Sequence, residues 1–346
     1  MSERRIYIDR APGETRGVVT LDDRPERLIV QRDEDDRGLA VGARHIARVR
    51  RVEKQMGSAF LELDRGAEAI LPFKPDAVPV QGEALEVEVR SEPRRDKLAT
   101  VRALGPAQGD PRLAAAAPEL AEQLRHLAKG AEVEEGRAAR DIADEAEAEA
   151  LEVGHPLPGG GRLWIEPTRA LTAVDIDLGA RQGADVKRVT RQANLTALAE
   201  AARLLRLKSL GGLIVIDLVG RGHDAAALLA AARTAYGPDN PGVTLGPISR
   251  FGTLELTVPR RSPPLHERLC GPSGAPTDRT LAQRLIRVLE RESQAHPGGR
   301  LEAACAPGVA EAVLPLAMRL ARTIGPRFEV VSDPDLPRGK FDVRVA

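Results

Sequence analysis

The stretch from Leu171 to Asp217 limits what this 346-residue chain can fold into more than any other. It opens within Ala170-Leu-Thr-Ala-Val-Asp-Ile-Asp and closes on Gly211-Gly-Leu-Ile-Val-Ile-Asp. Both runs are short, apolar and β-branched, and each ends in a carboxylate, which is how a buried strand delivers an acid to the rim of a sheet. Between them, Val186 to Leu207 places Val189, Ala193, Leu195, Leu198, Ala202 and Leu205 near helical spacing. Strand, crossover helix and strand imply a parallel pair whose C-terminal ends share one side of the sheet. Asp175 and Asp177 are two apart and share a face of their strand. Asp175, Asp177 and Asp217 are therefore expected to converge. Such a cluster repels itself unless a hard cation such as Mg²⁺ neutralises it. The competing reading, strand-end or capping aspartates, suits any one of them taken alone.

The length suits two or three compact units. Lysine plus arginine and aspartate plus glutamate both number 51, so no global basic charge points to nucleic acid. The basic residues are mostly arginine, which suits phosphate forks better than lysine does. Cys270 and Cys305 are the only cysteines, which excludes a disulfide framework and fits a reducing compartment. Met1 to Arg10 is charged and has no signal-peptide core, and no run approaches the ~20 apolar residues of a membrane span. A soluble, cytoplasmic protein without membrane contact is expected.

In chain order, Arg5 to Asp9, Arg16 to Leu21 and Arg27 to Gln31 read as strands joined by turns. Five more strands follow: Arg44 to Glu53, Ser58 to Leu63, Ala67 to Pro72, Ala84 to Glu92 and Lys97 to Leu104. That density suggests a small closed barrel of the OB type, a common binder of single-stranded nucleic acid. Composition does not separate it from a generic β module. Gly105 to Pro118 reads as a linker, then Glu119 to Lys129 and Glu134 to Glu152 as helices, the second with a solvated acidic face. His155 to Gly161 reads as a turn before the strand Arg162 to Glu166. Beyond the central unit come a helix (Asp224 to Tyr236), a strand (Ile248 to Thr257) and a Pro-, Gly- and Ser-rich break (Pro259 to Pro276). The last unit reads helix, strand, helix, strand, strand and forms a small α+β module.

These residues resemble the ribonuclease E/G endoribonucleases. Residues 170–177 are similar to that family's Ala-Leu-Thr-x-Ile-Asp-Ile-Asn. The likeness continues in order through Asn194-Leu195, Arg206-Leu-Lys-Ser-Leu-Gly-Gly-Leu-Ile-Val-Ile-Asp217 and Ile248-Ser-Arg-Phe-Gly-Thr-Leu-Glu255. It is specific over residues 156–262 and weaker toward both ends of the chain. The resemblance implies a mixed α/β and β fold. Ribonuclease H-like strands (1–36) would be interrupted by an S1/OB-type RNA-binding barrel (37–105), with a shortened helical remainder at 106–161. A DNase I-like catalytic subdomain (162–262), a degenerate zinc-link (263–279) and a small α+β domain (280–346) would follow.

Carried over by residue, the resemblance makes Asp175 and Asp217 the Mg²⁺ ligands and places Asp177 where the family usually has a catalytic asparagine. Phe60 matches a base-stacking aromatic, Ile70 replaces a second, and Lys97 sits near an RNA-contacting lysine. Arg250 and Arg181 are candidate phosphate contacts, each equally a surface arginine. His223 is a candidate acid or base, against a capping or surface histidine. Lys208 lies in a family motif, against a simple interaction with the end of its own helix. No counterpart of the family's 5′-monophosphate-sensing arginine and threonine is found in residues 105–155. In place of Cys-Pro-x-Cys the chain has Cys270-Gly271-Pro272-Ser273, so a dimer would offer zinc two thiolates rather than four. The implied activity is Mg²⁺-dependent cleavage of single-stranded RNA, with homo-oligomerisation left open. The alternatives are a catalytically weak or inactive RNA-binding protein on the same fold and a DNA-directed phosphodiesterase.

Overall fold

The computed structural model describes residues 3–94, 97–179, 185–237 and 242–345. The chain begins with a meander of β1 (Arg4–Ala11), β2 (Glu14–Leu21) and β3 (Arg24–Arg32). Then β4 (Arg44–Glu53), β5 (Ser58–Glu62), β6 (Glu68–Pro72), β7 (Ala84–Ser91) and β8 (Ala99–Pro106) pair in the order β5-β6-β8-β7-β4. A further pairing of β4 with β5 closes them into a five-stranded barrel. Alternate residues such as Val49, Leu61, Val87 and Val101 fill its interior. The linker expected at 105–118 is not all linker: β9 (Arg112–Ala115) adds to β4.

Next come α1 (Leu120–Leu127), β10 (Val133–Glu135) and α2 (Arg137–Leu151). The start of the second expected helix is thus a short strand, which joins β1 in parallel. The face of α2 expected to be solvated is instead partly buried and paired. Glu147 is 4% exposed and takes Arg16 and Arg284, while Asp144 takes Arg16 and Arg291. A stripe of Ala139, Ala143, Ala146 and Ala150 lets the rest of this helix pack closely.

The central sheet contains β11 (Gly154–Pro156), β12 (Arg162–Pro167) and β13 (Thr172–Asp177). After α3 (Val186–Leu207) it continues with β14 (Gly212–Asp217), and after α4 (Ala225–Tyr236) with β15 (Thr244–Ile248) and β16 (Thr253–Val258). Its order is β11-β12-β13-β14-β16-β15, and β13 and β14 are parallel as the crossover helix requires. Two expectations change here. The turn at 155–161 begins with the edge strand β11, and the single strand at 248–257 is a hairpin of β15 and β16. Gly252, at φ +91°, takes the left-handed conformation that reverses the chain there.

The rest of the chain is α5 (Leu265–Leu269), α6 (Asp278–Ala295), β17 (Leu301–Cys305), α7 (Pro307–Ile324), β18 (Phe328–Ser332) and β19 (Asp342–Val345). Its three strands run β18-β17-β19 over a separate core that includes the buried Cys305. One continuous core joins the first sheet to the central one through α2 and α3. Charge joins the first sheet to the C-terminal module. Asp9 on β1 is 3% exposed and accepts from Arg16 (2.8 Å), Arg140 (2.8 Å) and Arg287 of α6 (2.6 Å). Burial pushes its carboxyl up, but Arg287, Arg16 and Arg140 together outweigh that and hold it well below the usual carboxylate range.

Candidate active site

Among the described residues, the central sheet is covered on one side only. Leu163, Ile165, Val174, Ile176, Ile214, Ile216, Leu254 and Leu256 share the continuous core with residues of α3 and α4. The alternate positions form an open face. Near the edge where β14 ends runs the row Trp164, Asp175, Asp217 and Thr253, each the register partner of the next. Asp175 and Asp217 are therefore direct neighbours on parallel strands, with backbones about 4.8 Å apart. Both are exposed. Among the described residues, no arginine or lysine forms an ion pair with either.

Asp177, also exposed, lies one pleat further along β13 opposite Arg162. Its Oδ1 accepts the backbone N–H of Gly179 at 2.8 Å. The expected convergence of three acids is thus a pair with a third beyond it. No group of three or more His, Cys, Asp or Glu side chains among the described residues is placed to hold one metal ion.

The loop after Asp217 is clamped from α3. Asn194, 1% exposed, donates from Nδ2 to the Val219 carbonyl (3.0 Å) and accepts the Val219 N–H on Oδ1 (3.1 Å). It fixes where β14 ends, a role not read from the sequence. The available signal was a polar amide beside Ala193 on an otherwise apolar stripe.

The β15–β16 turn borders the same edge. The Leu218 N–H donates to the Gly252 carbonyl at 3.1 Å, and Ser249 Oγ accepts the N–H groups of Phe251 and Thr253, both at 3.2 Å. This turn displays Arg250, whose guanidinium lies 4.7 Å from the Phe251 ring centroid. His223 sits against Gly252, where a Cβ would lie 3.1 Å from its Nε2. Arg181 lies outside the described residues.

Lys208 is not a rim residue. It is 5% exposed and donates from Nζ to the carbonyls of Glu149, Ala150 and Glu152. It therefore satisfies the C-terminal end of α2, not of its own helix, so its place is structural. Burial pulls its ammonium down to about 8.

The Ribonuclease E/G family model covers much of this geometry. Residues 112–261 match that family. Escherichia coli ribonuclease E is 37% identical over 147 residues, 40% of this chain and 14% of the relative. Haemophilus influenzae ribonuclease E is 36% identical over the same length, 16% of its own chain. Escherichia coli ribonuclease G is 29% identical over 217 residues, 59% of this chain and 44% of the relative. The matched stretches thus span less than half of these relatives. The resemblance carried by the sequence motifs holds across the segment that contains Asp175, Asp217 and the β15–β16 turn.

The remaining residues suggested by the ribonuclease E/G likeness lie elsewhere. On the barrel exterior, Phe60 is the register partner of Ile70, with the Arg51 guanidinium 4.3 Å from its ring centroid. Lys97 is exposed and bridges Arg94. The barrel meets the central sheet where the Glu92 N–H donates to the Arg261 carbonyl at 2.7 Å. Arg261 follows the end of β16 that pairs with Gly212, so this junction is at the far end of β14 from Asp217. Five residues of strand, about 16 Å, separate the two ends.

Cys270 closes a tight loop in which the Gly271 N–H reaches the Ala275 carbonyl at 2.9 Å. Burial pushes its thiol up. Among the described residues, no helix is long and apolar enough to cross a membrane.

Proposed function

We propose that the open face of the central sheet carries Mg²⁺-dependent endonucleolytic cleavage of single-stranded RNA. The observation that carries this reading is the register pairing of Asp175 with Asp217, inside the segment that matches the Ribonuclease E/G family. Two exposed carboxylates on adjacent strands, with no ion pair to a cationic side chain among the described residues, suit a hard cation that takes oxygen ligands and keeps several waters. Bound there, the metal supplies an activated water and neutralises charge developing on the phosphate.

The chain's own groups do the rest. Asp175 and Asp217 present oxygens from a hydrogen-bonded ladder, so their spacing is fixed before substrate arrives. Asn194 holds the loop that follows Asp217. Arg250 offers a guanidinium fork to a phosphate at the rim. Asp177 adds negative charge, and its hydrogen bond from Gly179 anchors the strand end. In this reading the barrel is the S1-type unit, gripping single-stranded RNA through Phe60 and Lys97. The first sheet is the ribonuclease H-like element and the central unit the DNase I-like one.

The deciding experiment is cleavage of a short single-stranded RNA in Mg²⁺. Asp175→Asn and Asp217→Asn are each expected to abolish cutting without unfolding the protein, since each removes charge from a repelling pair. Parent-rate cleavage by either variant overturns the assignment. With no 5′-phosphate pocket read in residues 105–155, RNAs with 5′-monophosphate and 5′-hydroxyl ends are expected to be cut at similar rates. A matched DNA strand cut equally well would favour a phosphodiesterase indifferent to the 2′-hydroxyl.

A further inference from the structure

Aromatic residues make up only 2% of this chain, yet two of them stand open at the carboxylate row. Trp164, the sole tryptophan, is 37% exposed and is the register partner of Asp175 on the uncovered face. Its ring lies across Gly154 of the edge strand, where an added Cβ would come within 2.6 Å of ring carbon Cζ3. The Arg162 guanidinium sits 5.2 Å from the ring centroid. Phe251 is 78% exposed, carries Arg250 at 4.7 Å, and belongs to the turn that hydrogen-bonds Leu218 next to Asp217. Trp164 and Thr253 mark the two ends of the row, about 14 Å apart at three strand spacings.

We propose that Trp164 with Arg162 and Phe251 with Arg250 are two nucleobase-stacking platforms, one on each side of the Asp175–Asp217 pair. Exposed aromatic rings and guanidinium planes are the surfaces on which unpaired bases stack, with little demand on sequence. Each ring here is joined by an arginine, so each platform offers both surfaces and a positive charge near the phosphate it serves. The alternating charge supports this division of labour. The row itself is anionic and admits a phosphate only through a cation, whereas the flanking platforms take the uncharged bases. A second copy of this face is a poorer occupant, because Glu166, Asp175, Asp177, Asp217 and Glu255 would meet the same five carboxylates. The proposal deepens the nuclease reading and rests on it for the identity of the strand, though its own test needs no cleavage.

The test uses Trp164 as its own reporter. The full-length chain is titrated, with Ca²⁺ in place of Mg²⁺, with single-stranded oligouridylate and with the same sugar-phosphate backbone lacking bases. Tryptophan emission is expected to be quenched by the base-bearing strand and not by the abasic one. Phe251→Ala is expected to weaken the quenching titration by about 5- to 150-fold, the range that one lost base stack spans. Trp164→Leu is expected to raise the KM for cleavage in Mg²⁺, with Trp164→Phe restoring most of it. Absent quenching, equal quenching by the abasic strand, or, in a chain that cuts, an unaltered KM in Trp164→Leu overturns the proposal. Emission and mass that change with protein concentration alone also overturn it and assign the face to an interface between copies. A chain that shows base-dependent quenching but never cuts keeps the platforms and loses the nuclease, so the two failures are distinguishable.

Discussion

Burial beside the Lys208 ammonium pulls His155 on β11 down from 6.5 to about 4. The ring is 3% exposed and its Nε2 has no hydrogen-bond partner among the described residues, so the fold holds it neutral. In the unfolded chain the same imidazole binds a proton near 6.5. Between those values the unfolded state therefore carries more protons, and stability rises with pH across the window. Its contribution is full above 6.5 and is lost as pH falls toward 4. At pH 5 the loss is about 2 kcal/mol. Urea unfolding at pH 7.5 and pH 5 is expected to show His155→Gln losing about 2 kcal/mol less than the parent. Equal losses in the two proteins would place the acid sensitivity elsewhere. None of this is legible in the sequence, where His155 heads a Pro- and Gly-rich turn. Its shift depends in part on Lys208, 53 positions later, which reaches back to the end of α2.

At the scale of elements, the hydrogen-bonded clamp between α3 and β14 is the joint on which the carboxylate pair depends. Asn194→Leu removes both bonds to Val219 and leaves that peptide unpaired, at a cost of about 1–3 kcal/mol. The helix should persist, since leucine suits its buried stripe. The expected outcome is a modest drop in melting temperature with a larger drop in kcat, measured on the same preparation. A melting change with unaltered kcat would show that the loop keeps its shape without the clamp. The β13–α3–β14 unit could be read from sequence because apolar runs, helical spacing and the handedness of crossovers all agree. The carboxylates came with it, since strand ends dictate where they point. The β15–β16 hairpin was hidden because Ile248 to Thr257 looks like one extended run, and only the left-handed Gly252 breaks it. Strands β9 and β10 hold four and three residues and exist only because a distant strand is there to pair with, while the three-residue β11 pairs with the adjoining β12. Trp164 and Phe251 eluded the reading for a related reason. An aromatic residue in a strand or a turn looks like core until the layer that fails to cover it is seen.

For the molecule as a whole, the buried ion network around Asp9 ties its two ends together. Asp9→Asn would leave Arg16, Arg140 and Arg287 short of a shared counter-charge, and breaking such a pair costs about 3–5 kcal/mol. Chemical denaturation is expected to show that loss, and proteolysis to release the C-terminal module early. A variant as stable as the parent, with the module still protected, would show that the remaining contacts, among them Arg287 with Glu14 and Gln283 with the Pro12 carbonyl, hold the two together without Asp9. The same network excludes Asp9 as a metal ligand, because three guanidinium groups already occupy its oxygens.

The span of that tie also has a meaning in time. Asp9 and Arg287 are 278 residues apart, so the first strand's carboxylate emerges from the ribosome long before its last partner. At about 5–20 residues per second the wait is roughly 15 to 55 s. Arg16 follows Asp9 almost at once, Arg140 arrives only about halfway through the wait, and until the end the surface that α6 will cover faces solvent. The first sheet is thus born unfinished, and a nascent chain stalled anywhere before the last helix pair exposes a half-neutralised charged seam to whatever chaperone is at hand.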